Sequence, residues 1–285
     1  MTATKLLFSV ARITFGVVLL APVALYFLQD RLLFFPQPLD EQIRTAVKKV
    51  HPAVEEIRIA AADDVTLHGW FLKNSTVAKV PVLIYFGGNA EEVSGLTLDS
   101  ESLPGVAMLL VNYRGYGLSS GKPGEAALFS DAVTLYDYVS HRADVDASRI
   151  VLMGRSLGSG IAVFLASQRR VAAVVLVTPY DSITAVAQRK FPFMPVSWLL
   201  RHPFDSYSRA PGIKAPLLAL VAKDDTLIPP EHARRLVANW GGTSRLVLLD
   251  GVDHDTISFH ERYWPAITAF SRQQGTCCSH TLLAK

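Results

Sequence analysis

Two hydrophobic rhythms organise the chain beyond Val54. Glu56-Ile57-Arg58-Ile59 and Thr66-Leu67-His68-Gly69-Trp70-Phe71 alternate with a period of two around the turn-forming pair Asp63-Asp64, which predicts an antiparallel hairpin. Further on, the alternation gives way to short, nearly continuous apolar runs at Val80 to Phe86, Val106 to Val111, Arg149 to Met153 and Val171 to Val177, followed by Pro216 to Val221 and Arg245 to Leu249. Helix-like stretches separate them. A strand that is apolar on both sides must be covered on both sides, so this rhythm predicts a mainly parallel sheet between two layers of helices. One hairpin and six runs make an eight-stranded, mostly parallel sheet of the α/β class.

The pattern also divides the chain. Residues 181–214 break the alternation with four prolines, at 192, 195, 203 and 211, and a short helical piece near Val196 to Leu200. This is the natural place for a small cap. Residues 36–53 read as a linker carrying a short helix near Asp40 to Val50, residues 54–273 as the α/β domain, and residues 274–285 as a flexible tail.

The N-terminus follows neither rhythm. From Leu6 to Leu28 the chain reads LLFSVARITFGVVLLAPVALYFL, with Arg12 as its one charge. About 20 such residues suffice to span a bilayer. A cleaved signal peptide would end at a small-x-small site, whereas this run continues into Leu25, Tyr26, Phe27 and Leu28. Residues 1–35 are therefore expected to form a retained transmembrane helix and its junction. Lys5, just before the run, and Arg12, in its N-terminal third, favour a cytoplasmic N-terminus with the α/β domain on the extracytoplasmic side, although Arg31 opposes this.

Composition changes the picture in two places. Half the residues are apolar and 19% are charged, which excludes a disordered chain. The net charge of +3 comes from scattered residues rather than basic runs, so no nucleic acid partner is expected. The only cysteines are the adjacent Cys277 and Cys278, a spacing that suits no zinc site. No metal or other cofactor is implied.

The chemistry concentrates where strands end. Gly154-Arg155-Ser156-Leu157-Gly158 follows the run ending at Met153 and opens a helical stretch, Ser159 to Gln168. The bare G-x-S-x-G pattern arises by chance in about one chain in ten of this length, but here it sits in the strand-turn-helix setting that pushes a serine hydroxyl out at the top of a sheet. A serine is a weak nucleophile at neutral pH and needs a histidine to take its proton and a carboxylate to orient that histidine. In elbows of this kind the acid follows the serine and the histidine comes last. Of the eight histidines, His254, His260 and His280 follow the serine, the candidate acids and the last apolar run, and His254 lies in the loop just after the last strand. His68, in the hairpin, and His232, in a helix, read as structural. Asp224 and Asp225 both follow the penultimate strand, and Asp181 is a third candidate from the neighbouring position. Oxyanion donors are expected from the amide of Leu157 and from the loop Gly87-Gly88-Asn89-Ala90, with Asn89 the best single choice and Gly88 beside it.

These motifs, together with Asn112-Tyr113-Arg114-Gly115-Tyr116-Gly117 and the junction Gln29-Asp30-Arg31-Leu32-Leu33-Phe34-Phe35-Pro36, resemble the single-span, membrane-anchored α/β-hydrolase-domain proteins. That group includes eukaryotic protein depalmitoylases and many bacterial hydrolases, and the resemblance runs from the N-terminal segment to about Phe270. It implies the α/β-hydrolase fold with a small cap, and an acid four residues before a proline, which selects Asp225 ahead of Pro229. It also implies a supporting salt bridge for Arg114. The family usually has histidine where this chain has Gly87. The implied activity is cleavage of an acyl ester or thioester through an acyl-enzyme on Ser156. A serine peptidase of the same fold and a silent membrane-bound binding protein are the alternatives.

Overall fold

The computed structural model describes residues 12, 20, 23–73, 75 and 77–277. Eight strands form one sheet: β1 (Glu55–Ala60), β2 (Thr66–Leu72), β3 (Val80–Phe86), β4 (Ala107–Val111), β5 (Val145–Arg155), β6 (Ala173–Val177), β7 (Leu217–Ala222) and β8 (Ser244–Leu249). Their order is β1-β2-β4-β3-β5-β6-β7-β8. β2 runs antiparallel to both its neighbours, and every other pairing is parallel. The hairpin turns on Asp63 and Asp64, with φ of 61° and 55°. Two consecutive positive φ values give the turn whose twist matches the flanking strands, and aspartate tolerates that backbone better than most residues.

The parallel strands alternate between two cores. Val82, Ile84 and Phe86 face one side with Leu109, Leu152 and Leu176, against α3 (Glu125–Ser140) and α4 (Leu157–Gln168). Leu83 and Tyr85 face the other side with Met108, Leu110, Met153 and Val175, beneath α8 (Tyr263–Gln273) and the 3-10 segment Val93–Ser102. A strand with core on both faces has no polar side to show, which is why these segments read as continuous apolar runs. The strand expected at Arg149 to Met153 is longer, because β5 begins at Val145 and its register against β3 slips between Val80 and Val82.

Helix α2 (Glu41–Val50) starts where Asp40 accepts the amide of Gln42, a side-chain N-cap. The junction expected within residues 1–35 belongs partly to the body, since Phe34 is 4% exposed and packs edge-on against His202 and Phe204. Residues 274–277, within the tail expected to be flexible, are helix-terminal or buried in part. Thr276 is buried and donates its hydroxyl to Ser271 O, and Cys277 is buried with its Sγ 3.3 Å from Pro104 O. Cys278 and the rest of that tail lie outside the described residues.

Residues 23–33 are helical (α1) and dock on the cap. The Gln29 amide donates to Leu199 O, and its oxygen accepts the Arg201 amide at 2.7 Å. Asp30 accepts from Arg201 and from His202 Nε2, whose Nδ1 in turn accepts the Glu125 amide. The cap itself comprises α5 (Ile183–Lys190) and α6 (Val196–Leu199). Among the described residues no helix is long and apolar enough to cross a membrane. Most of the segment Leu6 to Leu28, on which the transmembrane helix is expected, lies outside the described residues.

Candidate active site

Strand β5 runs directly into α4 through Ser156, whose φ of 50° and ψ of −117° are rare for a residue with a side chain. The turn closes only because its flanking residues lack a Cβ. One built on Gly158 would lie 2.0 Å from Phe86 O, and one on Gly154 would lie 2.4 Å from Gly158 O. The Ser156 amide is held by Val177 O at 2.9 Å, and the Ser156 carbonyl accepts both the amide and the hydroxyl of Ser159. The strained backbone is thus fixed on both sides of the serine.

The loops after β7 and β8 bring two further residues to this turn. His254 Nε2 is 2.9 Å from Ser156 Oγ, and His254 Nδ1 is 2.7 Å from Asp225 Oδ2. Asp225 is 4% exposed, and its other oxygen accepts the amides of Leu227 and Ile228 at 2.9 and 2.7 Å. Those two bonds leave its Oδ2 aimed at the imidazole. With Nδ1 donating to Asp225, Nε2 is left to accept the serine proton. Asp224 is exposed and takes no part. Asp181 is engaged elsewhere, with His232 Nδ1 and Arg235 Nε each at 2.7 Å. Burial pushes the Asp181 carboxyl up, but the bonds from His232 and Arg235 outweigh it and hold the carboxyl below its usual range. His260 contacts the amide of Arg262, and His280 lies outside the described residues.

The predicted oxyanion residues surround Ser156 unequally. Leu157 opens α4 and, with Asn89, lines the same cavity as Ser156. Among the described residues the amides of Leu157 and Asn89 donate to no protein acceptor, while Asn89 O accepts from the Tyr116 hydroxyl at 2.6 Å. Gly88 is close enough that a Cβ would lie 3.9 Å from Ser156 Cβ, but its amide is already donated to Glu91 at 2.7 Å. The open donors are therefore Leu157 and Asn89, with Gly88 closed by Glu91.

Glu91 is not singled out by any motif. Its carboxylate accepts from Gly88, from the Tyr85 hydroxyl at 2.8 Å and from Arg155 at 3.3 Å. Burial, and then the adjacent Glu91 charge, raise the Tyr85 hydroxyl well above its ordinary range and keep it a neutral donor. The one available signal is the spacing, a carboxylate three residues after a glycine amide in a turn. Arg114 makes a salt bridge, as the resemblance implies, and it is two-pronged, with Nε and Nη2 on Asp131 at 2.8 and 2.7 Å. His68 meets Glu56 at 2.9 Å, away from the cavity.

The cavity over Ser156 measures about 500 Å³ and is roofed by α5, with Arg189, Lys190, Thr226 and His232 among its polar lining. Residues 67–205 match the alpha/beta hydrolase fold family. An uncharacterised protein of Mycobacterium tuberculosis is 33% identical over 231 residues, 80% of each chain. The alpha/beta hydrolase domain-containing protein WAV2 of Arabidopsis thaliana is 28% identical over 246 residues, 79% of this chain and 80% of its own. Among solved structures, an esterase of Pyrococcus furiosus superposes with a TM-score of 0.67 at 17% identity, covering 85% of this chain and 99% of its own. At that identity the likeness is one of fold. The chain belongs to the alpha/beta hydrolase family.

Proposed function

We propose that this chain is a serine hydrolase that cleaves carboxylic esters or acyl thioesters through an acyl-enzyme on Ser156. The observation that carries this reading is the hydrogen-bonded chain Asp225–His254–Ser156, ending on a serine at positive φ beside two open amides. His254 Nε2 takes the Ser156 proton as Oγ bonds to the acyl carbon. The carbonyl oxygen, now negative, is met by the Leu157 and Asn89 amides. His254 then gives its proton to the departing alcohol or thiol. A water repeats the sequence, with His254 first as base and then as acid, and frees the carboxylic acid and Ser156. Asp225 holds the imidazole tautomer throughout. The esterase names of structural neighbours agree with this chemistry.

In the same reading the N-terminal apolar segment holds the protein in a membrane as a single-pass anchor, with the hydrolase domain on the extracytoplasmic side, as in the group that includes the depalmitoylases. Support comes from the cap and α1, which carry Phe193, Trp198 and Phe27 at 99%, 88% and 73% exposure next in sequence to Arg189, Lys190, Arg201 and Arg31. Aromatic and cationic side chains together suit an anionic bilayer surface. The test is covalent labelling by a fluorophosphonate probe, followed by a panel of matched esters, thioesters and amides. Labelling at Ser156 with ester or thioester turnover is expected. An unlabelled protein, or one that cleaves only amides, overturns the reading.

A further inference from the structure

A second cavity, of about 190 Å³, lies between α1 and the cap. It shares Leu32, Leu33, Ile183, Ala187 and Phe191 with the cavity over Ser156, so the two adjoin across these side chains. Their chemistry differs. Arg189, Lys190, Thr226 and His232 stand in the first, whereas the second is lined by aliphatic and aromatic residues and one amide, Gln29. That amide is spent on the backbone: Nε2 donates to Tyr26 O and Leu199 O, and Oε1 accepts the Arg201 amide. An ordered water needs two to four polar partners, and this lining provides too few. The space suits a flexible apolar group.

We infer that the cavity between α1 and the cap is the acyl-chain subsite. The substrate is then an ester or thioester of an unbranched aliphatic acid, with its carbonyl at Ser156 and its chain passing Ala187 into the space bounded by Leu25, Leu199 and Leu200. The polar side of the first cavity receives the leaving group. This rests on the hydrolase reading above and adds two things to it, the class of acid and the part the N-terminal helix plays in selecting it. Each methylene seated in such a site favours binding about fourfold, so the preference should climb with chain length until the space is full.

The experiment uses full-length protein in detergent and p-nitrophenyl esters from butyrate to hexadecanoate. It compares wild type with Ala187→Trp, at the junction, and Leu199→Trp, deep in the second cavity. The readout is the ratio of kcat/KM for each ester to that for butyrate. In the wild type this ratio should rise with chain length. In Ala187→Trp the dodecanoate ratio should fall at least tenfold, with the break at shorter chains than in Leu199→Trp. Binding of a dansylated undecanoate to Ser156→Ala protein, with and without Ala187→Trp, is read separately from turnover. Wild-type ratios in both tryptophan variants, or undecanoate binding untouched by Ala187→Trp, overturn the subsite. Failure of every ester and of fluorophosphonate labelling, with undecanoate binding still lost in Ala187→Trp, overturns the hydrolase reading and leaves the subsite standing.

Discussion

Glu91 and Arg155 meet at 3.3 Å between the loop after β3 and the residue that precedes Ser156. Through this ion pair three loops at the ends of β3, β5 and β8 are joined. Glu91 holds the Gly88 amide, and Arg155 reaches to within 3.5 and 3.4 Å of the carbonyls of His254 and Asp255. Neither residue contacts Ser156 Oγ or His254 Nε2, so in the proposed reaction both would act by positioning their neighbours. Glu91→Gln keeps an acceptor for Gly88 but removes the charge that Arg155 faces. It should lower kcat roughly tenfold, about 1.4 kcal/mol of barrier, with KM nearly unchanged. Steady-state kinetics decides, and a change confined to KM would contradict a positioning role.

Replacing Ser156 by alanine should remove both ester turnover and fluorophosphonate labelling. Its side chain projects from the turn, so thermal unfolding should shift by only a few degrees. Labelling that persists in Ser156→Ala would place the nucleophile elsewhere.

Three aspartates separate cleanly by their contacts. Asp225→Asn should reduce kcat by about 10⁴-fold, the loss found for the equivalent acid in a serine protease, through the wrong imidazole tautomer. Asp224→Asn, at an exposed position, should stay within a few-fold of wild type. Asp181→Asn should instead reduce stability, because it weakens the bonds to His232 and Arg235. Kinetics on one activated ester, with melting curves for all three variants, tests this assignment. A crippled Asp224→Asn enzyme would reverse it.

The elbow glycines make a packing prediction. A methyl at Gly158 would lie 2.0 Å from Phe86 O, while one at Gly212 would meet nothing within 4 Å. Gly158→Ala should cost about 1–3 kcal/mol or prevent folding, and Gly212→Ala should be close to neutral. Chemical denaturation of the two variants reads the difference.

A pH dependence follows from Glu56. Burial would raise its carboxyl, but bonds from Arg44, Lys48 and His68 overcome this and hold it at about 2. A carboxylate depressed in the folded state stabilises fully above its unfolded value, near 4.5, and that contribution fades as pH falls toward 2. The wild type should therefore lose melting temperature between pH 5 and pH 3 more steeply than Glu56→Gln. Parallel curves for the two proteins would contradict the network.

The sheet was legible in the sequence because each strand carries its own signal. Asp63-Asp64 marks the hairpin, and Val82 to Phe86 are apolar because both faces of β3 are covered. Ser156, His254 and the acid pair were legible because each follows an apolar run at a fixed place in chain order. Glu91 was not, since its role depends on Arg155, 64 residues away, and local spacing holds no trace of such a meeting. Choosing Asp225 over Asp224 likewise needed either a family pattern or the two amides that orient it. Phe34 escaped because its partners, His202 and Phe204, lie at the far side of the cap.

The bonds from Gln29 and Asp30 to Leu199, Arg201 and His202 make α1 and the cap a single mechanical piece. Whatever grips the chain ahead of residue 23 therefore grips the roof over Ser156 as well. The same bonds continue through His202, whose Nδ1 accepts the Glu125 amide, to the start of α3. Truncation at residue 22 would spare this lever; truncation at residue 35 would cut it away together with a residue of the core.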